Sequence, residues 1–276
     1  MRFFLHADLS GSTDGSVRMW EFGVTQVLYT PRSSGQFAKV TRLRFSTLGN
    51  KFGVSDSDGT LSVWQLSSGT TLRKPFLNLK CHSKTTSDFV FVNQSSSLMA
   101  AAGHTTNDQN VGLWDCLLPP DKSLVHTWQC HADGGATSLL WVPSQQAVFT
   151  AGKHGEVCIF DIRQRLLRQT FKVFDNNVAI RSLALDPNGQ FFVAGSDEGD
   201  INVISVSMPH ELFSFPDEHA GRSSGAFSSF RSVGAGGAVS GVAQLAMDSS
   251  RHLYSCGADA TLKIRILPPQ SVICYL

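Results

Sequence analysis

The sequence predicts an all-β fold, a ring of four-stranded antiparallel sheets of the propeller kind, on three observations. One plan of small residues, a tight turn and alternating apolar residues recurs six times. Each recurrence is preceded by a second alternating run and followed by a weaker, more polar one, so four strands fall in every ~45 residues. Composition leaves little room for other classes. Among 276 residues, Lys+Arg 23 against Asp+Glu 22 leaves a formal charge of +1, no electrostatic footprint for nucleic acid or an anionic membrane. Charged residues are 16% and hydrophobic residues 42%, enough apolar material for a core and too much for wholesale disorder.

The six hairpin segments are Ser10–Trp20, Val54–Trp64, Ala102–His104 continuing to Asn110–Asp115, Thr150–Asp161, Ala194–Ile204 and Ser255–Arg265. The turn glycines Gly15, Gly59, Gly155 and Gly199 fall 44, 96 and 44 residues apart, the middle interval being two periods with a small insertion. Glycine tolerates the positive φ of a short hairpin turn, and the flanking alternation (Val17, Met19; Leu61, Val63; Val157, Ile159) turns one face inward. Ahead of the later hairpins lie Val40–Phe45, Asp88–Val92, Thr137–Val142, Ile180–Leu185 and Val242–Met247, read as inner strands along a channel. Runs such as Phe76–Lys80 and Leu167–Phe171 are read as outer strands. The chain is read as one domain, with blades at 1–36 (partial), 37–80, 81–130, 131–173, 174–218 and 219–276.

These units resemble WD repeats. Trp114-Asp115 is the one literal Trp-Asp pair, with Trp20-Glu21, Trp64-Gln65 and Phe160-Asp161 as degenerate versions. His82, His131 and His219 stand in the loop before an inner strand, where WD repeats commonly place a histidine. The resemblance implies a buried polar chain in each blade, made of that His, a Ser/Thr, the turn Asp and the Trp, and assigns structural roles to Asp14, Trp20, Asp58, Trp64, His82, Trp114, His131, Asp161, Asp197, His219 and Asp259. A half-satisfied buried network costs more than none, so degenerate blades are expected to lose members together. The fifth hairpin, with no His before it and Ile204 in place of Trp, fits that expectation. The first of the six blades lacks an inner strand or has it reduced to Met1–Ala7. Either the tail Ser271–Leu276 completes the ring or the chain is a fragment of a longer one, and the fragment is the reading taken here.

Four stretches go further than the general repeat: Asp14–Glu21, Cys81–Phe89, Cys158–Arg165 and Ser255–Lys263. Together they resemble the C-terminal propeller of the DmX-like (rabconnectin) family, over nearly the whole chain. The resemblance implies a non-enzymatic scaffold. Members of that family are very large cytosolic proteins that promote assembly of the vacuolar proton pump (V-ATPase), and with it vesicle and endosome acidification, and associate with regulators of vesicle Rab GTPases. Suspected partners are therefore pump subunits or a Rab-regulator complex, with the chain cytoplasmic and reaching vesicles through its partners. The family offers no catalytic residues to carry over, and no cofactor, metal or small-molecule substrate is expected.

Other chemistry has weaker support. Cys81-His82 and Cys130-His131 are ligand types, but they lie 49 residues apart, one repeat, so each occupies the same place in neighbouring blades and four ligands do not converge. Six cysteines spread singly fit reduced thiols rather than a disulfide scaffold. There is no Gly-x-Ser-x-Gly elbow, Gly152-Lys153-His154 lacks the pattern of a phosphate loop, and Gly234–Ala238 does not join a strand to a helix. The N-terminus is too short in apolar residues for a secretory signal, and the uncharged stretch Gly134–Gly152 is too polar to span a bilayer. The segment from Arg222 to Gly241 breaks the period, and reads either as a mobile surface insertion or as a docking loop using Arg222, Phe227, Phe230 and Arg231. With Lys39, Lys84 and Asn177, in loops entering inner strands, these are the candidate partner-binding residues. Finally, Phe160-Asp161-Ile162-Arg163 is similar to the Trp-Asp-x-Arg box of substrate receptors for cullin-type ubiquitin ligases; the alternative is a stabilising ion pair between Arg163 and a neighbouring carboxylate.

Overall fold

Alternating apolar residues on either side of a Gly-centred turn need a partner strand on each edge, and this chain supplies them in series. The computed structural model describes residues 8–21, 24–29, 38–66, 74–93, 95–219 and 241–267. A first sheet holds β1 (Asp8–Gly11), β2 (Ser16–Glu21) and β3 (Val24–Tyr29); a second holds β4 (Val40–Phe45), β5 (Lys51–Asp56), β6 (Thr60–Gln65) and β7 (Leu77–Lys80). The third is β8 (Thr85–Phe91), β9 (Leu98–His104), β10 (Val111–Asp115) and β11 (Leu124–Trp128), and the fourth β12 (Ala136–Val142), β13 (Ala147–Gly152), β14 (Glu156–Asp161) and β15 (Leu166–Lys172). A fifth contains β16 (Ile180–Leu185), β17 (Phe191–Ser196), β18 (Ile201–Ser205) and β19 (Glu211–Phe215), and the last β20 (Val242–Met247), β21 (His252–Gly257) and β22 (Leu262–Ile266).

The inner strands β4, β8, β12, β16 and β20 stand side by side in chain order and line one central channel. Six blades were expected; five sheets have an inner strand among the described residues. In the first sheet, β2 carries the hairpin residues that β6 carries in the second. Its three strands therefore match the second to fourth of a blade, and the expected inner strand falls on Met1–Ala7, outside the described residues.

Apolar side chains fill the spaces between sheets. Phe149 of β13 meets Phe192 of β17 edge to face at 5.5 Å, and Trp128 of β11 packs on Phe160 of β14 at 5.1 Å. Burying one such side chain stabilises by roughly 1.5–3 kcal/mol, and each works only with the neighbouring sheet present.

Backbone hydrogen bonds fix where the chain leaves each sheet. The chain leaving an outer strand crosses back over the hairpin turn of its own sheet: Gly59 O accepts the N–H groups of Cys81 and His82, Gly155 O those of Val173 and Phe174, and Gly199 O that of His219. Gly59 and Gly155 have φ of +83° and +74°, the left-handed region that favours glycine. A Cβ on either would also overlap the carbonyl oxygen of the crossing segment, at His82 and Phe174 respectively.

Candidate interaction faces and the central channel

Each inner strand bulges at one place. The register shifts at Thr41, Ser87, Thr137, Arg181 and Ala243, leaving Arg42, Asp88, Ser138, Ser182 and Gln244 as the next residue of each strand. A bulge re-aims the side chains beside it, and here they turn toward the following sheet. Asp88 Oδ2 accepts the Leu139 N–H at 3.2 Å, Ser138 Oγ that of Leu183 at 3.3 Å, and Ser182 Oγ that of Leu245 at 3.0 Å. Ser138 also donates its hydroxyl to Asp88 Oδ2 at 3.0 Å.

Asp88 is fully buried and is held from the other side by Arg44, whose Nη2 lies 3.0 Å from both carboxylate oxygens. Arg42 Nε is 3.1 Å from Asp88 Oδ1 but off the axis of a hydrogen bond, leaving an ion pair alone. Burial by itself would raise the Asp88 pKa, but the Arg44 and Arg42 guanidiniums outweigh it and hold the carboxyl below its usual range. Three residues further along the same strands, Phe45, Phe91, Trp141, Leu185 and Met247 collar the channel, whose volume is about 380 Å³. Repeat alignment of the inner-strand runs could have found both rows; reading each run only for its alternation missed them.

The WD-type residues are divided among the sheets. The residue of the second strand that stands two along from the partner of the aromatic position, on the same face, is Ser10, Val54, Ala101, Thr150, Ala194 or Ser255 in the six sheets. Only where it is a hydroxyl can the polar chain form. Trp20 Nε1 donates to Ser10 Oγ at 3.0 Å, with Asp14 accepting the Ser16 N–H across the turn. Trp64, with Val54 at the hydroxyl position, is buried with Nε1 unpartnered and stacks on its cross-strand partner Phe52 at 5.1 Å. His82, with Ala101 in place of a hydroxyl, pairs with Thr86 Oγ1 at 2.9 Å and the Asn110 carbonyl at 3.1 Å, and meets Trp114 edge-on.

The histidine chain forms fully in two sheets. His131 Nε2 lies 2.8 Å from Thr150 Oγ1 and Nδ1 2.6 Å from Glu156 Oε1. His219 Nε2 lies 2.8 Å from Ser255 Oγ and Nδ1 2.8 Å from Asp259 Oδ1. Burial opposes the charge on Asp259, but hydrogen bonds with His219 and Thr261 hold its carboxyl well below the usual range. The same three groups in this order serve nucleophilic catalysis elsewhere. Here Ser255 is 1% exposed and His219 0%, so no substrate atom reaches the hydroxyl. The fifth sheet has Ala194 at the hydroxyl position, Ile204 at the aromatic position and no histidine in the loop ahead of β16, having lost all three together.

Four expectations are corrected. No sheet among the described residues joins all four members of the polar chain, because Trp and the hydroxyl coincide only in the first sheet. The buried turn acid of the second sheet is Asp56, which accepts the N–H groups of Asp58 and Thr60; Asp58 is only partly buried. In the fourth sheet Glu156 meets His131, while Asp161 closes the next turn through the N–H groups of Arg163 and Gln164. The ion pair expected of Arg163 is made by Arg168 to Asp161, and Arg163 is exposed. Asp197 accepts the Ala179 N–H at 3.0 Å and lies 3.7 Å from Arg181.

Lys39, Lys84 and Asn177 are all exposed, at the ends of the inner strands opposite the apolar collar. Asn177 has a left-handed φ of +59° and Lys84 Nζ lies 3.4 Å from His104 Nε2. Arg222, Phe227, Phe230 and Arg231 lie outside the described residues. The cysteines 81, 116, 130, 158 and 256 are free thiols. Among the described residues no helix is long and apolar enough to cross a membrane.

A radial stack of four-stranded sheets with histidines entering ahead of the inner strands defines a WD-repeat β-propeller. The family model for the WD domain, G-beta repeat, matches residues 122–161 and 167–205. The fold is similar to that of the crystal structure of RRP9 WD40 repeats, with a TM-score of 0.72 at 17% identity, covering 94% of this chain and 72% of that one. Within this class the chain belongs with the DmX-like proteins. It is 44% identical over 268 residues, 95% of its length, to DmX-like protein 1 of Mus musculus and of Homo sapiens. It spans 8% of the length of those relatives.

Proposed function

We propose that the chain is a single propeller domain that acts as a non-enzymatic scaffold in the assembly of the vacuolar proton pump, and so in acidification of vesicles and endosomes. The observation that carries this reading is the 44% identity to DmX-like protein 1 across 95% of the chain. A propeller suits the role physically: rigid strands present loops on two broad faces, and the loops vary without cost to the core. The ring has six blades in this reading, the first incomplete, and the domain corresponds to the C-terminal propeller of a large cytoplasmic protein that reaches vesicle membranes through partners. Lys39, Lys84 and Asn177 with the Arg222–Arg231 segment form the contact face.

Affinity purification of the full-length parent, with and without this segment, tests the reading. Pump subunits or Rab regulators are expected with the intact protein and are depleted without the segment; equal recovery in both would overturn it. A second reading, substrate receptor of a cullin-type ligase, draws on the exposure of Arg163. It requires co-purification with the ligase adaptor that is lost on Arg163→Ala.

A further inference from the structure

Where the third and fourth sheets meet, three basic side chains from three separate segments converge. Lys84 enters from the loop before β8, His104 from the end of β9 and Lys153 from the turn between β13 and β14. Lys84 Nζ stands 3.4 Å from His104 Nε2. His104 and Lys153 flank the loop that carries Gly134 and Gly135. A Cβ on Gly135 would lie 2.8 Å from His104 Cβ, and one on Gly134 would overlap Lys153 Cδ and lie 3.0 Å from its Nζ. The two glycines let both side chains lie flat against the backbone. Lys84 and Lys153 are exposed, and among the described residues neither is in an ion pair.

We propose that Lys84, His104 and Lys153 form a binding site for a carboxylate-rich peptide segment of a protein partner. The choice rests on complementarity of charge and shape. Two ammonium groups and an imidazole spread across two sheets match several spaced carboxylates rather than one small anion. No large apolar side chain is exposed between Lys84 and His104 or between Cys130 and Lys153, so the patch has nothing to insert into a bilayer. The charges facing His104 agree. Slight burial and then the nearby Lys84 and Lys153 ammonium groups lower its affinity for a proton, and only Asp108 acts the other way. A bound carboxylate reverses that field. This site deepens the partner-docking face proposed above by giving its chemistry.

The test uses the full chain and a hexaglutamate peptide at low ionic strength, since exposed charges are screened within about 10 Å at 0.1 M salt. Binding is expected, with a rise in the His104 pKa read by NMR on saturation. The double variant K84Q/K153Q is expected to bind at least ~10-fold more weakly, about 1.4 kcal/mol, and K84R/K153R to retain binding. Equal binding by K84Q/K153Q with an unchanged melting curve overturns the site, as does binding to phosphatidylserine vesicles but not to the peptide. If the peptide fails while the parent still recovers pump subunits, only this site is wrong. If the peptide binds through the lysines while the purification fails, the pump role is wrong and the site stands.

Discussion

Two buried histidines at equivalent loop positions have their proton affinities pushed in opposite directions. His82 is driven down to about 4, chiefly by burial, against the pull of the Asn110 carbonyl. His131 is also penalised by burial, but the Cys158 sulfur and the Glu156 carboxylate outweigh this and push it up to about 9. An unfolded histidine titrates near ~6.5. The stability that His131 contributes is therefore fully present below that value and lost as pH rises through about 9. For His82 the unfolded chain binds the proton more readily, so stability falls as pH drops from ~6.5 toward about 4. In urea unfolding, the deficit of His131→Gln relative to the parent sequence should shrink with rising pH, by on the order of 3 kcal/mol, and that of His82→Gln should shrink with falling pH. Deficits independent of pH would mean that neither group is held as described. Nothing in the spacing of His82 and His131 distinguishes them. The difference comes from Cys158 and Glu156, both on β14, which act on His131, while His82 has only the Asn110 carbonyl pulling against burial.

At the scale of the element, the hairpin turns do two jobs. Gly59 and Gly155 adopt positive φ and also let the chain leaving the outer strand cross within hydrogen-bonding distance. Gly49 has a φ of +64° but open space around it. Gly49→Ala is therefore expected to cost about 1 kcal/mol for its backbone conformation alone. Gly59→Ala and Gly155→Ala add the steric overlap, for about 2–4 kcal/mol each. Denaturant midpoints of the three variants check this, and equal losses at all three sites would show that the close approach contributes nothing. The strand pattern was legible because alternation and turn chemistry are local: the inner runs at Val40–Phe45 and Ile180–Leu185 form as read. The bulges themselves were not legible, because a bulge is defined by register with the partner strand; repeat alignment of the inner runs could have found only the row of residues beside them.

Across the whole molecule, Asp88 ties three consecutive sheets together through Arg42 and Arg44 on one side and Ser138 and Leu139 on the other. Removing one partner of a buried ion pair leaves the other charge uncompensated, typically at about 3–5 kcal/mol. Asp88→Ala should lower the urea midpoint by that order, whereas Asp88→Asn, which keeps an acceptor for Leu139, should lose less. A loss below about 1 kcal/mol for the alanine variant would show that the channel arginines are solvated on their own.

The sequence by itself determined the repeat, the four-strand unit, the turn glycines and the kinship with DmX-like proteins, since these follow from local periodicity and residue identity. Only the tertiary structure decided which acid meets each histidine, which tryptophan is left without a partner, that Arg168 rather than Arg163 makes the ion pair with Asp161, and that Lys84, His104 and Lys153 converge. Each of these depends on which residues face one another across separate strands and sheets. That is set by register and by the radial packing of whole sheets, quantities that no single stretch of chain encodes.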